Sequence, residues 1–138
     1  MEFQGRTAWI TGASSGIGEA VARALAGRGM KLILSARRAE RLEAIAGSLP
    51  RPDEVLVLPL DVSDEDAVAQ AVPRAEKAFG GVDLVFHCAG VTQRSHAVDT
   101  ELDTVRRIMD INFFGVVDIT QRLLPGMLAR GSGHIAVV

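Results

Sequence analysis

The stretch Thr11-Gly12-Ala13-Ser14-Ser15-Gly16-Ile17-Gly18 sets glycines and hydroxyls together between an apolar run and a helical pattern. That combination can hold a nucleotide phosphate. A strand delivers the chain, glycines let the backbone close in, and a helix N-terminus meets the anion. The glycines follow G-x-x-x-G-x-G rather than G-x-G-x-x-G, so the longer turn brings Ser14 and Ser15 to the phosphates as hydroxyl donors. Gly16 permits close approach, and Gly18 lets the helix pack against the strand. A tight strand–helix connection without a ligand is the plainer reading, and the flanking strand and helix weigh against it.

Ser35-Ala36-Arg37-Arg38 follows the second apolar run, where the adenosine ribose of a dinucleotide would lie. An acid there binds a free 2′-hydroxyl, whereas an arginine accommodates a 2′-phosphate. No carboxylate occurs until Glu40, and a guanidinium grips phosphate through two parallel hydrogen bonds. Arg37 therefore favours NADP(H) over NAD(H). Arg38 reads as a solvated charge at a helix start.

These residues need a sheet to gather them. Apolar runs alternate with helical patterns along the chain, which argues for parallel strands joined by crossover helices. Strands are expected at Arg6–Thr11, Lys31–Ala36, Val55–Leu60, Val82–Ala89 and Gly133–Val138. Ile17, Ala20, Val21, Ala24 and Leu25 follow one helical face, with Gly27 and Gly29 as its stop. Further helices are expected over 39–49, 64–79 and 101–129. The second of these opens on a Ser63/Asp66 capping box and should kink or restart at Pro73. The fold class is α/β, a Rossmann-type doubly wound parallel sheet in three layers with strand order 3-2-1-4-5. Such sheets bind ligands at the carboxyl ends of their strands. Gly12–Gly18, Arg37, Asp61 and Ala89-Gly90 all fall at those ends.

A chain of 138 residues suits one domain, and residues 1–138 read as a dinucleotide-binding domain. With 48% hydrophobic and 23% charged residues it has the composition of a globular core. A net charge of -2 gives no electrostatic case for nucleic acid or anionic membrane. No segment approaches the roughly 20 apolar residues of a membrane span, and Met1–Arg6 is too polar for a signal peptide. Cys88, the single cysteine, excludes an internal disulfide and fits a reducing compartment, so a cytoplasmic location is expected. His96 and His134 lie near turns without ligand spacing, and no metal is expected.

Taken together, these residues resemble the short-chain dehydrogenase/reductase family. Its phosphate turn is matched by Thr11–Gly18, and the Asp-Val that meets the adenine ring by Asp61-Val62. The motif ending strand four is matched by Ala89-Gly90, which let the nicotinamide ribose approach. The helix asparagine of the catalytic tetrad is matched by Asn112 in Asp110-Ile111-Asn112-Phe113. Ser35–Arg38, Val57–Val62 and Thr92–Ser95 are also similar to the dehydrogenase/reductase member-seven branch, which reduces carbonyls on steroid- or retinoid-like molecules. The family usually writes Asn-Asn-Ala-Gly where this chain has His87-Cys88-Ala89-Gly90. Cys88 reads as a small buried thiol and His87 as a core histidine.

The expected helix over 101–129 carries Leu102, Val105, Met109, Asn112, Val116, Ile119 and Leu123 on one stripe. An asparagine on an apolar stripe must find hydrogen bonds or cost on the order of a few kcal/mol. Bonding to backbone is one solution. The resemblance implies another, a role holding a water that relays protons to an active-site lysine. Ile108, Phe113, Val117 and Leu124 make a second apolar side, wider than one sheet face covers. That surplus points to a homodimer or homotetramer built through this helix.

The resemblance implies hydride exchange between NADP(H) and a small-molecule carbonyl or alcohol. It also implies a serine, a tyrosine and a lysine after the fifth strand, and the sequence contains no tyrosine. Ile135–Val138 would form an unprotected apolar sheet edge. The expectation is therefore the N-terminal portion of such an enzyme, lacking the Ser/Tyr/Lys part of its site. The alternative is a nucleotide-binding or interaction module without catalysis.

Overall fold

The computed structural model describes residues 2–138; Met1 lies outside them. Five strands form one parallel sheet: β1 (Thr7–Thr11), β2 (Lys31–Ser35), β3 (Val55–Val57), β4 (Leu84–His87) and β5 (His134–Val137). Their order is β3-β2-β1-β4-β5, as expected for a doubly wound sheet. The helices are α1 (Gly16–Gly27), α2 (Ala39–Gly47), α3 (Glu65–Ala78), α4 (Leu102–Met109) and α5 (Gly115–Arg130).

The strands alternate their side chains between two cores. Ala8, Ile10, Leu32, Leu34 and Leu84 pack with residues of α1 and α2, including Ala22, Leu25, Leu42 and Ile45. Trp9, Ile33 and Val85 pack on the opposite face with Val68 and Val72 of α3 and Ile119 and Leu123 of α5. Three layers result, with β1 buried along its whole length. Inside the second core, the Trp9 indole N–H donates to Ser35 Oγ at 2.9 Å, and that hydroxyl donates to the Leu58 carbonyl at 2.7 Å. The relay satisfies two buried polar groups and ties the middle strands to the chain leaving β3.

Local readings changed in four places. The buried face of α1 is Gly18, Ala22, Leu25 and Ala26, while Ile17, Ala20 and Ala24 are exposed. Of the apolar stripe of the sequence only Val21 and Leu25 meet the core; Gly18 and two alanines make the rest of the contact and let the helix lie closer than bulkier residues would. The N-cap of α3 is Asp64, whose carboxylate accepts from the Ala67 N–H at 3.0 Å. Ser63 does not cap; Asp61 engages it instead. Nor does α3 restart at Pro73, which sits on the exposed side where a missing N–H costs least. Finally, the helix over 101–129 is two helices joined by a π-helical turn, Asp110–Phe114. Such turns insert a residue into the helical ladder and re-aim the side chains that follow.

Candidate functional site

A cleft of about 650 Å³ opens over the carboxyl ends of β1, β2 and β4. Every residue expected to touch a dinucleotide lines it: Gly12, Ser14, Ser15, Gly16, Ile17, Gly18, Arg37, Asp61, Val62, Ala89 and Gly90. Parallel pairing of β1 with β2 and β4 brings three sequence-distant segments to one rim.

Each glycine of the turn has a separate steric task. A Cβ on Gly12 would stand 2.6 Å from the Cys88 carbonyl and the Ala89 nitrogen, so β1 and β4 close only around a residue without one. Its φ of +64° also belongs to the left-handed region. A Cβ on Gly18 would run into the Gly12 carbonyl; the first turn of α1 rests directly on the glycine turn. Gly16 differs, because a Cβ there meets nothing within 4 Å. It faces open cleft space, the room an approaching phosphate needs. Ser15 is the N-cap of α1 with extended backbone and no side-chain bond to the helix. Its hydroxyl and the unpaired first-turn N–H groups thus border the cleft together.

The far wall carries charge. Arg37 lines the cleft, and among the described residues no carboxylate lies within ion-pair distance of it. Asp61 Oδ1 accepts from the Ser63 hydroxyl at 2.6 Å and the Ser63 N–H at 3.0 Å. The hydroxyl bond above all holds the Asp61 carboxyl below its ordinary range, against the opposing effect of burial. The Ser63 N–H and the charges of Arg37 and Arg107 add to it. Asp61 is an anion at neutral pH, turned to Ser63 and not to Arg37.

Asn112 is on the π turn and exposed, not on a core stripe. Its Oδ1 accepts the Val91 N–H and its Nδ2 donates to the Val91 carbonyl, both at 2.8 Å. The amide clamps the segment that follows Ala89-Gly90, and a Cβ on Gly90 would stand 3.5 Å from Asn112 Oδ1. The asparagine is satisfied by backbone, and by this bond it fixes one rim of the cleft.

His87 is buried as expected, with Nε2 and Thr120 Oγ1 of α5 at 3.0 Å. Burial lowers its pKa to about 4, which leaves a neutral ring at physiological pH. Cys88 is only half-buried and lines the cleft; burial raises its thiol pKa, so it stays protonated at neutral pH. Sequence reasoning missed Arg41. Its Nε donates to the Ser14 carbonyl at 3.0 Å across 27 positions of sequence, a contact no local spacing announces. Among the described residues no cluster of three or more His, Cys, Asp or Glu could hold a metal, and no helix is long and apolar enough to cross a membrane.

Comparison with known proteins agrees with this geometry. The family model for short chain dehydrogenase matches residues 6–138. Dehydrogenase/reductase SDR family member 7 of Homo sapiens is 39% identical, over 99% of this chain and 44% of its own length. An uncharacterized oxidoreductase of Staphylococcus aureus is 38% identical over 94% of this chain and 56% of its own. The chain thus spans about half the length of the curated relatives it matches. Among solved structures, the L-sorbose reductase of Gluconobacter frateurii complexed with NADPH and L-sorbose superposes with a TM-score of 0.91. It is 32% identical, over 99% of this chain and 54% of that one. A short-chain dehydrogenase from Streptomyces avermitilis gives the same TM-score and identity, over 96% of this chain and 48% of that one. With its sheet order, its glycine turn and the matched family model in agreement, this chain belongs to the short-chain dehydrogenase/reductase family of oxidoreductases.

Proposed function

We propose that this chain binds NADP(H) in the cleft above β1, β2 and β4, as the cofactor-binding part of an enzyme interconverting a small-molecule carbonyl and an alcohol. The observation that carries the choice of cofactor is Arg37, a cleft-lining guanidinium at the end of β2 without a carboxylate partner among the described residues. A carboxylate at that place would repel a 2′-phosphate; a guanidinium grips it. The relative complexed with NADPH supports a nicotinamide dinucleotide, and Arg37 supports the phosphorylated form over NAD(H).

When bound, such a cofactor donates or accepts a hydride. The residues of this chain do the binding: Gly12 and Gly18 close the floor, and Gly16, Ser14 and Ser15 offer room and donors to the phosphates. Asp61 and Val62 border the adenine end, and Ala89 and Gly90 leave space on the nicotinamide side. Asn112 holds that side through Val91, which takes both ends of its amide; the proton-relay role carried by the family's asparagine is proposed for it on the resemblance alone.

Self-association through α4 and α5 belongs to the same proposal. Leu102, Met109, Phe113, Leu124 and Leu128 are exposed along those helices and the π turn, an apolar strip that a second copy would cover. Light scattering should report a dimer or tetramer, and charging the strip at Phe113 and Leu128 should yield monomer.

Equilibrium titration with NADPH and NADH tests the cofactor assignment. Charge-assisted hydrogen bonds contribute about 1.5–3 kcal/mol, so Arg37→Asp should weaken NADPH roughly 10- to 100-fold while sparing NADH. Unchanged NADPH affinity in that variant would overturn the assignment.

A further inference from the structure

Arg37 precedes α2 by two residues and Arg41 lies in its first turn, yet the structure gives them different work. Arg37 lines the cleft and meets no carboxylate among the described residues. Arg41 is outside the lining and turns back to the glycine turn. Its Nε donates to the Ser14 carbonyl at 3.0 Å, and its Nη2 pairs with Glu19 Oε2 at 3.3 Å. Glu19 is itself fixed: Arg23 grips Oε1 at 2.9 and 3.2 Å, and Arg23 Nη1 donates to Ser48 Oγ at 2.9 Å. The chain of contacts runs from α2 through α1 to the Ser14 carbonyl in the glycine turn.

The consequence follows from the planarity of the peptide unit. In a trans peptide the carbonyl of Ser14 and the N–H of Ser15 point in opposite directions. Arg41 stands outside the cleft lining, and its hold on the carbonyl fixes the plane of the Ser14–Ser15 peptide and with it the direction of the Ser15 N–H. Glu19 offsets the charge of Arg41, and what remains is orientation.

We propose that Arg41 is a positioning residue for the cofactor phosphates: it sets the Ser14–Ser15 peptide and does not touch the 2′-phosphate. The inference rests on the cleft being a dinucleotide site and divides labour within it. Arg37 discriminates NADP(H) from NAD(H). Arg41 strengthens the binding of both equally.

The test is titration of NADPH and NADH into the wild type, Arg41→Gln, Arg41→Lys and Arg37→Asp, with the Ser15 amide followed by NMR in the nucleotide-free proteins. Losing one hydrogen bond should weaken both cofactors by about fivefold in Arg41→Gln, with their ratio unchanged. The Ser15 amide resonance should move, and Arg41→Lys, which can still donate to the Ser14 carbonyl, should recover most of the affinity. The Arg41 side chain is half exposed, so these variants should fold, as circular dichroism will verify. Loss confined to NADPH would mean that Arg41 grips the 2′-phosphate, and would overturn the proposal. So would unchanged affinity for both cofactors with a lowered urea midpoint, the mark of a merely structural contact. If Arg37→Asp left selectivity intact while Arg41→Gln behaved as expected, the NADP(H) reading would fall and the positioning role would stand. A wild type that binds neither nucleotide would end both.

Discussion

Lowering the pH from 7 to 5 should remove about 2 kcal/mol of stability through His87 alone. His87 is on β4 between β1 and β5, its ring against Thr120 of α5; the residue is 2% exposed, and burial brings its pKa from 6.5 in the unfolded chain to about 4. The folded state therefore refuses a proton that the unfolded state accepts. The sign is that of a depressed base: the stability is fully present above pH 6.5, declines as pH falls toward 4, and declines no further below it. One pKa unit corresponds to about 1.4 kcal/mol, so the full window amounts to about 3.4 kcal/mol. Urea unfolding of the wild type and His87→Gln at pH 7, 6 and 5 isolates the effect. Glutamine can still reach Thr120 but does not titrate, so the difference between the two proteins should shrink by about 2 kcal/mol from pH 7 to pH 5. Parallel pH dependences would refute the reasoning, as would a ring resonance of His87 titrating near 6.5.

Asn112→Ala should cost about 1 kcal/mol, since two solvent-reachable hydrogen bonds to Val91 are lost; faster hydrogen exchange at the Val91 amide would locate the change. Gly18→Ala drives a methyl into the Gly12 carbonyl and should cost about 1–3 kcal/mol while weakening nucleotide binding. A urea midpoint equal to that of the wild type would contradict the close packing of α1 on the turn. Trp9→Phe should cost about 2–3 kcal/mol, because the Ser35 hydroxyl loses its donor and the core loses volume. A loss under half of that would show the relay to be dispensable.

The sheet order and the gathering of the cleft were legible because parallel strands alternate with helices, and chemistry collects at the ends of such strands. Gly12, Gly16 and Gly18 announce themselves by spacing, and the structure gives each a distinct reason. What was not legible depended on packing or on distant partners. The buried face of α1 cannot be read from hydrophobicity when glycine and alanine are chosen for closeness and Ile17 is left at the cleft. Ser63 has the spacing of a cap, but Asp61 competes for it and Asp64 takes the role. The π turn at Asp110–Phe114 leaves no signature in a 3.6-residue period, so Asn112 looked like a core residue. Arg41 carries no local signal in the sequence, because its partner Ser14 comes near only after β1 and β2 pair.

The central claim, that this cleft receives NADP(H) with Arg37 at the 2′-phosphate, is tested most directly by NMR mapping of NADPH against NADH. Both should shift the amides of Gly12–Gly18 and Ala89-Gly90, and NADPH alone should shift the side chain of Arg37. Shifts confined to other faces, or an Arg37 response identical for the two cofactors, would contradict the account.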